Sequence, residues 1–196
     1  MPRKPRVLVD GGCYHIVTRG IDRRRLFRCS QDYRYFLEVV RKYLEKFKIG
    51  ILHYCLMPNH LHLIIQAQRK EDLPKFMQVV LQVYASHFRK KYRSVGFIFQ
   101  NRYKSSFIDK DSYLLECGRY IERNPLRAGI TEDLLNYPWS SFRCYAKGVG
   151  DDIISEKNPL YFDLGDTEQK RQQRYCEYLL QDRPYEHIVD KAFRLR

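Results

Sequence analysis

The sequence predicts an α+β protein: a ferredoxin-like βαββαβ core with an antiparallel sheet, an extra helix after the fourth strand and a helical C-terminal extension. Three observations carry that prediction. Short runs rich in β-branched and aromatic residues ("CYHIVTRG", "GILHYCLM", "HLHLIIQA" and "RYKSSFID") are separated by longer segments with apolar residues at helical spacing. Their order is strand, helix, strand, strand, helix, strand. The second and third strands are joined by Pro58 and Asn59 alone, a hairpin turn. At 196 residues the chain fits one domain with room for an extension.

The elements follow in order. After "CYHIVTRG" comes a basic loop, "GIDRRRLFR", and then Ser30 as a helix N-cap. Tyr33, Phe36, Leu37, Val40, Leu44 and Phe47 give that helix an apolar face. The hairpin follows. Asp72 and Pro74 open the next helix, with Leu73, Phe76, Met77, Val80, Tyr84 and Phe88 on one side, and a basic run, "RKKYRSVG", ends it. After the fourth strand, "KDSYLLECGRYIERN" reads as a helix stopped by Pro125. "YPWSSFRCYAKG" makes a compact aromatic end to the core. Gly148 to Asp152 reads as a linker, dividing residues 1–147 from a basic extension, 148–196. The extension holds one helix, "GDTEQKRQQRYCEYLLQ", with Asp166 as cap and Gln169 three residues on, and a helical tail from Arg183.

Charge narrows the partners. Lys and Arg number 36 against 23 Asp and Glu, a formal net charge of +13, and there are 16 tyrosines. A basic, aromatic surface suits a polyanion whose bases can stack, so nucleic acid is the first partner to consider. The six cysteines form no C-x-x-C pair and no secretory leader precedes them, which points to reduced thiols inside the cell. No apolar run approaches membrane-spanning length.

The chemistry centres on "MPNHLHLII". Side chains alternate along a strand, so His60 and His62 share one face while Leu61, Leu63 and Ile65 take the other. The leucine face is expected on the crossover helices. The histidine face is open or roofed by the later helix. Paired imidazoles at i and i+2 hold a divalent ion, with water, substrate or a third side chain completing its shell. Asn124 offers an oxygen. Tyr120 lies one turn before it and shares its helix face, which puts a phenol beside the same cation. A phenol is mostly protonated at neutral pH and needs a proton acceptor or cationic neighbours, and Arg119 and Arg123 flank this one. Each residue also has a plainer reading: the histidines as a satisfied pair, Asn124 as a helix C-terminal residue, His15 and His53 as packing. Gly118 inside the helix is either tolerated or marks close approach to the sheet.

Together "YHIVTRG", "MPNHLHLII", "FQNRYKSSFIDKDSYLLECGRYIERNPLRAGI" and "YPWSSFRCY" resemble the REP-associated tyrosine transposases, single-tyrosine members of the HUH nuclease class. The likeness runs from about Tyr14 to Tyr145. It implies that His60, His62 and Asn124 bind Mg²⁺ or Mn²⁺ and that Tyr120 attacks a single-stranded DNA phosphate. The products would be a 5′-phosphotyrosine and a free 3′-hydroxyl, next to a DNA hairpin with a short recognition sequence at its stem. Two positions depart from the family: Ile21 stands where asparagine is common, and Arg123 where an aliphatic residue is usual. Both bear on which DNA is read.

The expected DNA contacts are Arg19, Arg23, Arg24, Arg25, Arg102, Lys104, Arg119, Arg123 and Arg127. In the basic loop Phe27 is the expected stacking residue. The leading function is a metal-dependent single-strand DNA endonuclease and strand transferase, a monomer or homodimer in the bacterial cytoplasm, associated with the nucleoid through DNA. One alternative is a catalytically silent hairpin-binding protein derived from a transposase. The other is an RNA-recognition sheet, disfavoured because the third strand shows histidines where such a sheet shows aromatics.

Overall fold

A computed structural model describes residues 7–109 and 111–181 of the chain. Four strands, β1 (Cys13–Arg19), β2 (Ile49–Met57), β3 (His60–Ala67) and β4 (Lys104–Ile108), form one antiparallel sheet in the order β2-β3-β1-β4. The crossover helices are α1 (Ser30–Leu44) and α2 (Asp72–Tyr92). This is the predicted split βαβ arrangement, with β3 inside the sheet.

The two sheet faces bury different partners. Tyr14 and Ile16 of β1 and Leu61, Leu63 and Ile65 of β3 join Phe36 and Val40 of α1 and Phe76, Met77 and Val80 of α2 in the main core. The apolar spacing of both helices aims their stripes at that face. The other face carries Leu52, Met57 and Ile64, and over it lies α3 (Asp111–Glu122) through Leu114, Cys117 and Ile121. The histidine face is therefore roofed.

α3 sits unusually close to the sheet. A Cβ on Gly118 would fall 2.6 Å from two ring atoms of His53 on β2. Glycine is thus required there by close approach. His53 Nδ1–H donates to Glu122 at 2.9 Å and its Nε2 accepts from Asn158 Nδ2 at 3.0 Å. Glu122 also accepts from Ser141 Oγ and from Tyr175 OH at 2.8 Å. A buried carboxylate with three donors is well satisfied, and these bonds lock α3 onto the sheet.

Beyond α3 the chain makes α4 (Asn124–Arg127), α5 (Phe142–Lys147), α6 (Pro159–Phe162) and α7 (Glu168–Leu180). The stretch read as a linker is packed instead. Tyr54 OH donates to Asp151 at 2.8 Å, Ile153 is buried, and Ile154 bridges Ile51 of β2. Tyr161, Tyr175 and Leu179 are buried with Leu115 and Tyr145, so residues after 148 complete the roof over α3. Two caps shift by one residue. Cys29 precedes α1, with the Asp32 carboxylate accepting from the backbone of Arg28 and Cys29, and Thr167 rather than Asp166 caps α7. The tail from Arg183 lies outside the described residues. All six cysteines are free, and no helix among the described residues is long and apolar enough to cross a membrane.

Candidate active site

Register puts the basic and imidazole side chains in rows. Across the sheet Cys55 faces His62, His62 faces Val17, and Val17 faces Lys104. One rung further, Met57 faces His60 and His60 faces Arg19. Directly opposed residues project to the same side, so His15, Arg19, His60, His62 and Lys104 all belong to the face under α3. The His60 and His62 rings are 5.0 Å apart between centroids. The Tyr120 ring stands edge-on to both His62, at 6.3 Å, and His15, at 6.4 Å. The phenol and the histidine pair thus meet on one side of the sheet.

Hydrogen bonds prepare both histidines. His60 Nδ1 lies 2.6 Å from Asn59 Oδ1 and donates to it, leaving Nε2 as a lone pair. His62 Nδ1 lies 2.9 Å from His15 Nε2. When His62 is the donor, its Nε2 is likewise basic. Burial, and then the charge of Arg19, lower the pKa of His60 to about 4. Burial, then His15, His60 and Arg127, hold His62 well below its ordinary value, and burial takes His15 down to about 3. All three are neutral at physiological pH, the state a metal ligand needs.

Asn124 follows one turn after Tyr120. Backbone bonds from Arg123 to Arg119 and from Arg127 to Arg123 carry the helical path through the α3–α4 junction. Its Nδ2 is buried without a hydrogen-bond partner. A half-turn of the amide places Oδ1 there instead, an acceptor suited to a cation. Among the described residues no three His, Cys, Asp or Glu side chains group as a metal site. Two neutral imidazoles, with an amide one turn beyond Tyr120, are donors compatible with a divalent ion that takes its remaining ligands from water or phosphate.

The cations divide into two groups. Arg19, Arg102 and Lys104 line one shallow cleft at the β1–β4 boundary, with Gln100 and Asn101. Arg23 and Arg25 are exposed in the loop after β1, and Arg24 donates to Ser94 Oγ at 2.7 Å. Arg127 places its guanidinium 5.2 Å from the Tyr120 ring centroid. Arg119 and Arg123 do not join them. They are 2% and 6% exposed, and their guanidiniums reach the last carbonyls of α7 and Gln181 beyond it. Those carbonyls carry the negative end of the helix, so two cations there cap it. The expectation that they flank the phenol and touch DNA is corrected: the cation over Tyr120 is Arg127. Phe27 is a second correction. It is fully buried and stacks on Tyr33 at 4.5 Å, which in turn stacks on Trp139 at 4.5 Å. His15, read from the sequence as packing, is instead the hydrogen-bond partner of His62. A histidine on a strand beside the H-x-H strand was the available signal, and it becomes specific only with the register.

A ferredoxin-like sheet beneath a tyrosine-bearing helix agrees in fold with the class that the sequence resembles, the tyrosine transposases. A family profile described as "Transposase IS200 like" matches residues 9–124, and the chain belongs to that family. A curated relative from Haemophilus influenzae, provisionally named a REP-associated tyrosine transposase, is 26% identical over 149 residues, 70% of this chain and 83% of the relative. Among solved structures, a REP-associated tyrosine transposase described as bound to a REP hairpin superposes with a TM-score of 0.64 at 18% identity. That match covers 80% of this chain and 92% of the other, and it shows a shared fold.

Proposed function

We propose that this chain is a divalent-metal-dependent, single-strand DNA endonuclease and strand transferase that works beside a DNA hairpin through Tyr120. The observation that carries the reading is the meeting of Tyr120 with His62 at 6.3 Å, with His60 a further 5.0 Å along the strand. The hairpin substrate is carried over from the structural relative, and the net charge of +13 suits it. Such a substrate places the protein with the chromosome in the cytoplasm.

His60 and His62 through Nε2, and Asn124 through Oδ1, would hold Mg²⁺ or Mn²⁺. When bound, the ion polarises non-bridging phosphate oxygens and offsets the charge that builds up during attack. Tyr120 Oη forms a bond to phosphorus and the bond from phosphorus to the 3′-oxygen breaks. The phenol proton leaves to solvent and the departing 3′-oxygen takes one up. The products are a 5′-phosphotyrosine and a 3′-hydroxyl. One phosphodiester has replaced another, so a 3′-hydroxyl can reverse the step without ATP. Arg127 over the ring favours the developing phenolate. Arg19, Arg102 and Lys104 hold flanking phosphates along their cleft.

The test is incubation of the protein with end-labelled hairpins carrying a single-stranded flank, plus Mn²⁺, followed by denaturing electrophoresis. A labelled protein band is expected, and Tyr120→Phe removes it while hairpin binding persists. An adduct that survives in Tyr120→Phe puts the nucleophile elsewhere. Wild-type binding with no adduct on any hairpin, in Mg²⁺ or Mn²⁺, makes the protein a silent hairpin binder.

A further inference from the structure

Among the described residues, the two large apolar side chains with the highest fractional exposure lie at one loop tip. Between α2 and β4, Val95 is 91% exposed and Phe97 80% exposed. Gly96 between them takes a φ of +83°, with open space around it. Phenylalanine held in water at such a tip has no role in the core, and exposed apolar groups rimmed by polar residues mark contact sites.

The tip is held firmly on both sides. Before it, Ser94 accepts from Arg24 at 2.7 Å and its own N–H bonds to the carbonyl of Arg89. After it, Ile98 is buried and its carbonyl accepts from Ile21 at 2.9 Å, and Phe99 bridges Gly20. Gln100 N–H then bonds to the carbonyl of Arg19, the residue opposite His60. Phe97 therefore stands within a few residues of the histidine end of the sheet, at a reach of roughly 10 Å of chain. The two loops that build this corner, 20–28 and 93–104, hold seven Arg or Lys against one acid, Asp22.

We propose that Phe97, with Val95 beside it, is a base-stacking wedge that receives an unpaired base, or the last base pair, where a DNA hairpin stem opens into its single-stranded flank. The inference rests on the DNA-hairpin reading above. A cation-rich corner that carries an exposed aromatic ring has the chemistry of strand recognition: cations take phosphates and a ring takes a base face. A second copy of this chain fits the corner poorly, because it would bring the same positive charge to the same place. The rigid anchoring lets the ring meet a base without first paying to order the loop.

The experiment uses the full-length protein and hairpins with and without a single-stranded flank, with 2-aminopurine at the foot of the stem. Wild type is expected to change the 2-aminopurine emission on binding. Phe97→Ala loses that change and roughly 5- to 150-fold of affinity for the flanked hairpin, the range for one stacked base. Its salt dependence stays as in wild type, because no phosphate contact is lost. Phe97→Trp restores both signals. Phe97 is exposed, so the substitution leaves folding intact. Wild-type affinity and emission in Phe97→Ala overturn the wedge and leave the hairpin reading standing. A change of oligomeric state in sedimentation without any change in DNA binding also overturns it, in favour of a self-contact. Wild-type protein that binds no hairpin overturns both readings together.

Discussion

Gly118→Ala separates local from tertiary control of the catalytic helix. Helix propensity alone favours the change, since alanine in a helix interior is better than glycine by about 1 kcal/mol. The structure predicts the opposite sign. The new methyl would lie 2.6 Å from Cε1 and Nε2 of His53 and 2.8 Å from its Cδ2. The ring cannot step aside, because Glu122 and Asn158 hold its two nitrogens at 2.9 and 3.0 Å. Either α3 lifts from the sheet or the buried bonds break. Overpacking of this kind costs about 1–3 kcal/mol beyond the gain in propensity, and stranding a buried polar partner costs a similar amount. A net loss of roughly 1–3 kcal/mol lowers the melting temperature of a chain this size by about 2–12 °C. Tyr120 lies two residues further along the same helix, so a lifted α3 also moves the phenol away from His62. Thermal denaturation by circular dichroism and the covalent-adduct assay read the two effects. The reasoning is refuted if Gly118→Ala melts at or above the wild-type temperature with full adduct yield.

Further outcomes follow from the same contacts. His15→Leu removes the hydrogen-bond partner of His62 Nδ1 and should weaken Mn²⁺ binding about 10- to 100-fold, as loss of a ligand's hydrogen-bond partner usually does, read by titration calorimetry. Unchanged Mn²⁺ affinity would show that His15 only packs. Asp32 gives a pH dependence. Burial alone would raise its pKa, but bonds from Lys91 and Tyr92 at 2.6 Å, and from the backbone of Arg28 and Cys29, outweigh burial and hold the carboxyl below its ordinary range. A depressed folded-state pKa stabilises above the unfolded value, and the contribution fades as pH falls through the folded one. In urea melts, wild type should exceed Asp32→Asn by a constant margin from pH 7 to about 5, and the margin should begin to shrink only as pH falls below about 4 and vanish only below the depressed folded-state pKa. A margin that grows on acidification would reverse the assignment.

The sequence by itself determined what periodicity and order within an element can carry. Alternation along β3 put both histidines on one face, and helical spacing kept Tyr120 and Asn124 one turn apart. The strand and helix order fixed the ferredoxin-like core, and the quoted motifs pointed to the family. Tertiary structure decided every question that joins separate elements. Antiparallel register brought His15 to His62 and Lys104 to the same rung. The pairing of α7 with α3 buried Arg119 and Arg123 as caps, although their chain neighbours include Tyr120. Packing swallowed Phe27 and left Phe97 in solvent, two phenylalanines in equally basic stretches. The stretch from Gly148 to Asp152 reads as a linker by composition, yet the chain there packs along β2. The physical reason is common to all of these. A one-dimensional pattern records which way a side chain leaves its own backbone, whereas burial, hydrogen bonding and charge pairing depend on which other backbone arrives there.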